Sequence, residues 1–228
     1  MIVSHRHRFI FLKTLKTAST SIEIALSKYC GPLDVITGIT PEDEQIRRML
    51  GYPGPQNCGI PVSRYTVKDW LLVVMQRKRL KYYNHMPARR VRTGIGRQVW
   101  DSYFKFCFER NPWDRAVSLY FWLNRNRNHR QTFGEFLQNV NKCNLSNWDI
   151  YTIRDKIVID HIGLYEDLES ELEWIAERLM LPGKLLLPRA KSGFREDQRR
   201  YREVFGGVER ELISKICSRE IARFGYEF

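Results

Sequence analysis

The order of apolar and polar segments predicts an α/β fold, a central and mostly parallel sheet covered by helices on both faces. Two observations carry this. Short β-type apolar runs alternate with longer stretches whose apolar residues recur at helical spacing. Two of the junctions, FIFLKTLKTASTSIEIAL (9–26) and YFKFCFERNPWDRAVSLYFW (103–122), share one form, a strand ending on a basic residue that turns directly into a helix. No repeat, low-complexity tract or linker divides the chain, so residues 1–228 read as one domain with ample length to bury a core.

Taken in order, the first strand covers 8–13, and a helix over 18–29 places Ile22, Ala25, Leu26 and Tyr29 on one face. Residues 30–68 read as loop, broken by Gly51, Pro53, Gly54, Pro55, Gly59 and Pro61. WLLVVM (70–75) fits a strand or a buried helix equally. Pro87 can start a helix with the stripe Ala88, Val91, Ile95 and Val99, ending near Trp100. SYFKFCF (102–108) is a strand; Asn111 can cap and Pro112 can open a helix reaching about Leu123. Residues 124–130 form a polar loop, and 156–165 carry a strand. The next helix aligns Leu168, Leu172, Ile175 and Leu179. After a basic irregular stretch (189–202), a last helix runs from about Val208 to Phe224.

A formal net charge of +12 favours polyanionic partners: nucleotide phosphates, acidic glycans, nucleic acid or an anionic membrane touched peripherally. Much of the excess is local, since Arg77, Lys78, Arg79, Lys81, Arg89, Arg90, Arg92 and Arg97 lie in a stretch without acids between Asp69 and Asp101. A solvated basic surface is the plain alternative. Cys30, Cys58, Cys107, Cys143 and Cys217 are scattered without zinc spacing, so no metal is expected and a reducing compartment fits. Arg6, Arg8, Lys13 and Lys16 interrupt any secretory segment, and no apolar run is long enough to span a bilayer; a cytoplasmic location is expected.

The two junctions are where chemistry concentrates. In the first, Lys16 precedes Thr17, Ala18, Ser19, Thr20 and Ser21 at a helix start, where free N–H groups and the helix dipole favour a phosphate or sulfate. In the second, Arg110 ends the strand and Ser118 follows two turns along the helix. One such turn is common; two suit a ligand with phosphates at both ends.

LKTASTSI (15–22) resembles the 5′-phosphosulfate loop of the sulfotransferases that use 3′-phosphoadenosine 5′-phosphosulfate (PAPS), in the form found in the carbohydrate branch close to the heparan sulfate 2-O-sulfotransferases. FERNPWDRAVSLY (108–120) resembles that family's 3′-phosphate motif. YNHMPARRVRTGIGRQVWDSYFKF (83–106), DHIGLYEDLESEL (160–172) and FGYEF (224–228) are also similar, the first to bacterial and Golgi members. Leu15 departs from the family's usual proline. The resemblance implies a P-loop-like three-layer fold, sulfuryl transfer from PAPS to a carbohydrate hydroxyl, release of PAP, and no metal. It implies that Lys16 contacts the bridging oxygen, that residues 17–21 receive the 5′ side, and that Arg110 and Ser118 hold the 3′-phosphate. It implies that His85, ahead of the second motif, is the general base, and that Arg195, in RAKSGFR, belongs to a late basic loop that closes over the nucleotide. Residues 30–83 fall outside the strongest similarity and are expected to govern acceptor choice, which includes anionic glycans.

Ordinary roles compete with each assignment: capping for the hydroxyls, ion pairing for Arg110, a core or capping place for His85. Arg115 is expected to answer Asp114, Trp113 to pack, and His161 to be a satisfied core histidine. Three other functions compete. A catalytically silent family member that binds glycan is opposed by the presence of Lys16, His85, Arg110 and Ser118 together. A P-loop kinase or NTPase needs glycines where Ile10 and Leu15 stand. A nucleic-acid-binding module would explain the basic run, but no recognised motif accompanies it.

Overall fold

The computed structural model describes residues 1–125, 131–188 and 201–228. Strands β1 (Ile2–Ser4) and β2 (Phe9–Phe11) form a hairpin, α1 (Ser19–Ser27) follows, and β3 (Val35–Ile36) pairs with β1. Helices α2 (Pro41–Met49) and α3 (Val67–Gln76) precede α4 (Ala88–Ile95) and α5 (Arg97–Ser102), which lead into β4 (Phe104–Glu109) and α6 (Pro112–Asn124). Then come α7 (Phe133–Asn139), α8 (Trp148–Tyr151), a small hairpin of β5 (Thr152–Ile153) and β6 (Lys156–Ile157), β7 (His161–Leu164), α9 (Leu168–Arg178), α10 (Gly207–Ile216) and α11 (Ser218–Phe224).

The main sheet has the order β3-β1-β2-β4-β7. β2, β4 and β7 pair in parallel, with Phe11 opposite Phe106 and Phe106 opposite His161; β1 alone runs against its neighbours. The pleat sorts the core into layers. Phe9, Phe11, Phe106 and Phe108 face Ile22, Leu26, Leu172 and Ile175 of α1 and α9. Ile10, Leu12 and Cys107 face the other way, against Ala88, Val91, Trp100 and Ile150. A third cluster joins Trp113 and Val117 of α6 to Phe136, Ile213 and Cys217 of α7, α10 and the end of α10. A central, mostly parallel sheet flanked by helices is therefore present.

Several expected boundaries shift. The first strand was expected to begin at residue 8, yet Met1 to Ser4 are buried and their strand fills the sheet between β2 and β3. The stretch taken as loop holds α2, started by Thr40 accepting from the Asp43 N–H and by Pro41 at the first position. The expected helix over 88–100 breaks at Gly96, whose φ of +85° suits glycine and whose missing Cβ leaves room for the Arg64 guanidinium. The last helix is likewise two, α10 and α11, divided at Cys217. Asn111 does cap α6, accepting from the N–H groups of Trp113 and Asp114.

Beneath the second junction lies a polar core. The Arg115 guanidinium is buried against Glu109 and also donates to Leu145 O at 2.7 Å. Glu109 further accepts from Asn147 Nδ2 at 3.1 Å and from the Tyr151 hydroxyl at 3.1 Å. Arg115 therefore does not answer Asp114, as expected from sequence; Asp114 pairs with Arg110. Burial pushes the Glu109 carboxyl above its usual range, even with Arg115 beside it. Removing one partner of a buried pair strands the other, which costs about 3–5 kcal/mol. Arg115→Ala should accordingly lower Tm by roughly 6–20 °C. An unchanged Tm by calorimetry would contradict this network's structural role.

Candidate active site

The turn after β2 is shaped by its own hydroxyls. Thr14 Oγ1 donates to Phe108 O at 2.6 Å, so the Thr17 hydroxyl, 2.8 Å away, must donate to Thr14. Ser19 Oγ donates to Thr14 O at 2.6 Å. Leu15 N donates to Asn147 Oδ1 at 2.8 Å, which latches the turn to the segment leading into α8. Lys16 and Ala18 both take left-handed backbone conformations, with φ of +60° and +55°. Such conformations cost a non-glycine residue on the order of 1 kcal/mol and are held only where surroundings impose them.

That geometry leaves the N-terminus of α1 without a side-chain cap. Ala18 at the cap has no side chain to close it, and no acid stands in the first turn. The first intrahelical bond is Ile22 N to Ala18 O, so the preceding N–H groups have no acceptor within the helix. Thr17, Ser19, Thr20 and Ser21 are buried, whereas Lys16 and Ala18 are partly exposed. The hydroxyls of Thr17 and Ser19 thus build the turn.

The second junction abuts the first. Arg110 Nη1 donates to Lys16 O at 3.1 Å, its Nε and Nη2 hold Asp114 Oδ2 at 2.8 and 2.5 Å, and its guanidinium lies 4.2 Å from the Tyr165 ring centroid. Asp114, Ser118 and Trp122 recur every four residues and share a face of α6. Trp122 places its ring 5.4 Å from Lys16 Nζ. One face of α6 therefore looks onto the turn that opens α1, with half-buried Ser118 between Arg110 and Trp122 along that face.

His85 reaches the same turn from the opposite layer. It too has a left-handed backbone, φ +59°, and its Nδ1 lies 2.9 Å from Lys13 O. A carbonyl only accepts, so the ring proton is on Nδ1 and the lone pair is on Nε2. Burial, then the neighbouring Lys13 ammonium, lowers its pKa to about 4, which keeps the ring neutral at pH 7. Lys13 itself is buried and pairs with Glu23 of α1 at 2.6 Å. Glu23 also meets the Met1 ammonium at 2.9 Å and accepts from Thr37 Oγ1, which lies 2.9 Å from Asn84 Oδ1 next to His85. Burial alone would raise the Glu23 carboxyl, but the Met1 and Lys13 ammonium groups outweigh it and hold its pKa at about 2.

Beyond His85, Pro87 borders a cleft of about 1140 Å³ whose walls carry Arg64, Arg89, Arg92, Arg97, Arg154 and Lys156 together with Asp149 and Asp155. Arg90, from the same basic run, turns away to pair with Asp69 at 2.8 Å. His161 Nε2 lies 2.7 Å from Glu171 and its ring packs on Trp174, so it is satisfied as read, but it is half-buried on the edge strand β7 rather than in the core. Trp113 is buried in the core, as read. Arg195 lies outside the described residues. Among the described residues no group of His, Cys, Asp and Glu is placed to hold a metal ion.

The model of the Sulfotransferase family matches residues 1–227. The chain belongs to that family. It is also similar to an uncharacterized protein of Archaeoglobus fulgidus, 36% identical over 104 residues, a match covering 44% of this chain and 87% of that protein. No solved structure shows a significant match. Sulfotransferases of this family generally use PAPS as donor. In this sulfotransferase, sequence reasoning passed over Asn147, Tyr165 and Trp122, which position the turn, stack on Arg110 and face Lys16. Only Trp122 left a signal, standing four residues after Ser118.

Proposed function

We propose that this sulfotransferase moves a sulfuryl group from PAPS to a hydroxyl of a carbohydrate acceptor. The observation that carries the reading is the N-terminus of α1, which has no side-chain cap and no acid in its first turn, with Arg110 bonded across to the Lys16 carbonyl. This donor set fits a nucleotide with anionic groups at both ends: backbone N–H groups of residues 17–21 and Lys16 for the 5′ side, Arg110 and Ser118 for the 3′-phosphate. When bound, PAPS supplies the activated sulfuryl group. Lys16 and the helix terminus oppose the negative charge that develops on the departing phosphate oxygen. His85 Nε2, already unprotonated, accepts the proton of the acceptor hydroxyl. The cleft past Pro87 carries six basic side chains against Asp149 and Asp155, a balance that favours an anionic glycan and gives residues 30–83 a part in acceptor choice through Arg64.

The direct test is ligand discrimination. PAP should raise Tm well above the shift produced by ATP or ADP, because only PAP carries a 3′-phosphate for Arg110 and Ser118. Arg110→Ala should cost roughly 1.5–3 kcal/mol of PAP affinity by calorimetry. Because Arg110 also braces Lys16 O, the variant's affinity for adenosine 5′-phosphosulfate, which lacks the 3′-phosphate, separates the two roles. A loss of PAP affinity matched by an equal loss for the shorter nucleotide would remove Arg110 from the 3′ side.

A further inference from the structure

Helix α3 carries its apolar side outward. Val67, Trp70, Leu71, Val74 and Met75 follow the i, i+3, i+4, i+7, i+8 spacing that ordinarily marks a face turned to the core. Here they are 80, 48, 60, 73 and 80% exposed, and Leu72 beside them is exposed as well. Asp69 is the one buried residue of the helix. Its carboxylate closes the capping box with Thr66 and takes Arg90 Nη1 at 2.8 Å, so α3 is fastened to the body by its polar side. The chain then continues through Arg77, Lys78, Arg79 and Lys81, all exposed, with Lys68 exposed on the helix itself.

We propose that α3 is a membrane-surface helix that docks this protein on anionic lipid. The apolar stripe would enter the boundary between headgroups and acyl chains, and Lys68, Arg77, Lys78, Arg79 and Lys81 would meet the headgroups. A continuous exposed apolar stripe rimmed by charge of one sign is the combination such a surface fits. At ten residues α3 is about 15 Å long, half of a bilayer core of about 30 Å, so it lies on the membrane rather than crossing it. No helix among the described residues is long and apolar enough to cross. A second copy of this chain is a poor occupant. A two-fold contact sets the same patch against itself, and α3 offers no acid to answer Lys68 or the Arg77 to Lys81 cluster, since its one acid is already engaged by Arg90. Through Asp69 and Arg90 the docked helix is tied to α4, whose Arg89 and Arg92 wall the cleft, so docking would bring that cleft to the lipid surface. The inference does not depend on the chemistry assigned to Lys16 or His85.

Flotation of the full chain with phosphatidylcholine vesicles, with and without phosphatidylglycerol, tests it. The protein should float with the phosphatidylglycerol vesicles, less so as salt rises, and only weakly with phosphatidylcholine alone. Leu71→Asp/Val74→Asp and Arg77→Glu/Lys78→Glu/Arg79→Glu should each lower the partition coefficient by about tenfold or more, with Tm kept near wild type because none of these side chains is buried. Absence of flotation, or flotation that both variants retain, would overturn the proposal. So would a dimer in solution that Leu71→Asp/Val74→Asp dissociates and that does not bind vesicles, an outcome that assigns the stripe to a second copy.

Discussion

His85→Ala should lower turnover by about 10²–10⁴ and leave PAP affinity where it is, because in the proposed reaction Nε2 takes the proton of the acceptor hydroxyl, and Nδ1 is committed to Lys13 O. The pH profile carries a sharper signature. An ordinary imidazole would make the rate climb through about pH 6.5, which is what the sequence alone suggests. In the structure the pKa is lowered to about 4, by burial first and Lys13 second. The neutral, base-competent form then dominates from about pH 5 upward, so kcat/KM should be flat across neutrality and fall only as pH drops through about 4. A limb centred near 6.5 that disappears in the variant would return the histidine to its ordinary value and refute the buried assignment. Full activity in His85→Ala would move the base elsewhere.

Lys16→Ala should lower kcat by about 10²–10³ with a smaller change in PAP affinity. The distinction matters because two effects of the lysine can be separated. An ammonium that only holds ground-state phosphate would, on removal, weaken PAP and kcat/KM alike. One that meets charge appearing on the departing oxygen is felt mainly in the transition state. The backbone of the turn should survive, since it is held by Thr14, Asn147 and Arg110 through bonds that do not use the Lys16 side chain. Parallel losses in PAP affinity and kcat/KM, from calorimetry beside steady-state kinetics, would leave Lys16 a binding residue only.

The parts of the fold that were legible in sequence are those with a local signature. Phe106 and Phe108, and Leu172 and Ile175, obey the periods of strand and helix, and Asn111-Pro112 announces the start of α6. What escaped depends on distant partners. β1 is three residues long and becomes a strand only through pairing on both edges. α3 was read as strand or buried helix because its apolar spacing is that of a core helix, and nothing local says which side faces water. At the candidate site the two turns were evident, each being a contiguous motif. Their contact through Arg110 and Lys16 O, and the bond from His85 to Lys13 O, join residues far apart in the chain and leave no pattern along it. The Glu109–Arg115 pair was hidden similarly, since Asp114 is the nearer acid in sequence but lies on the other face of α6.

The carbonyl that orients His85 belongs to the same seven-residue stretch as Lys16, Leu12 to Ala18 being one continuous connection between β2 and α1. Whatever steadies that turn steadies the imidazole with it. Occupancy of the α1 end by a nucleotide and occupancy of the His85 side by an acceptor then share a free-energy term, and such a term is reciprocal: each ligand must tighten the other by the same factor. Donor and acceptor should therefore bind with positive cooperativity. Calorimetry of the acceptor with and without PAP measures that factor directly, and a factor of one would mean that the Lys13 bond positions the ring without coupling the two sites.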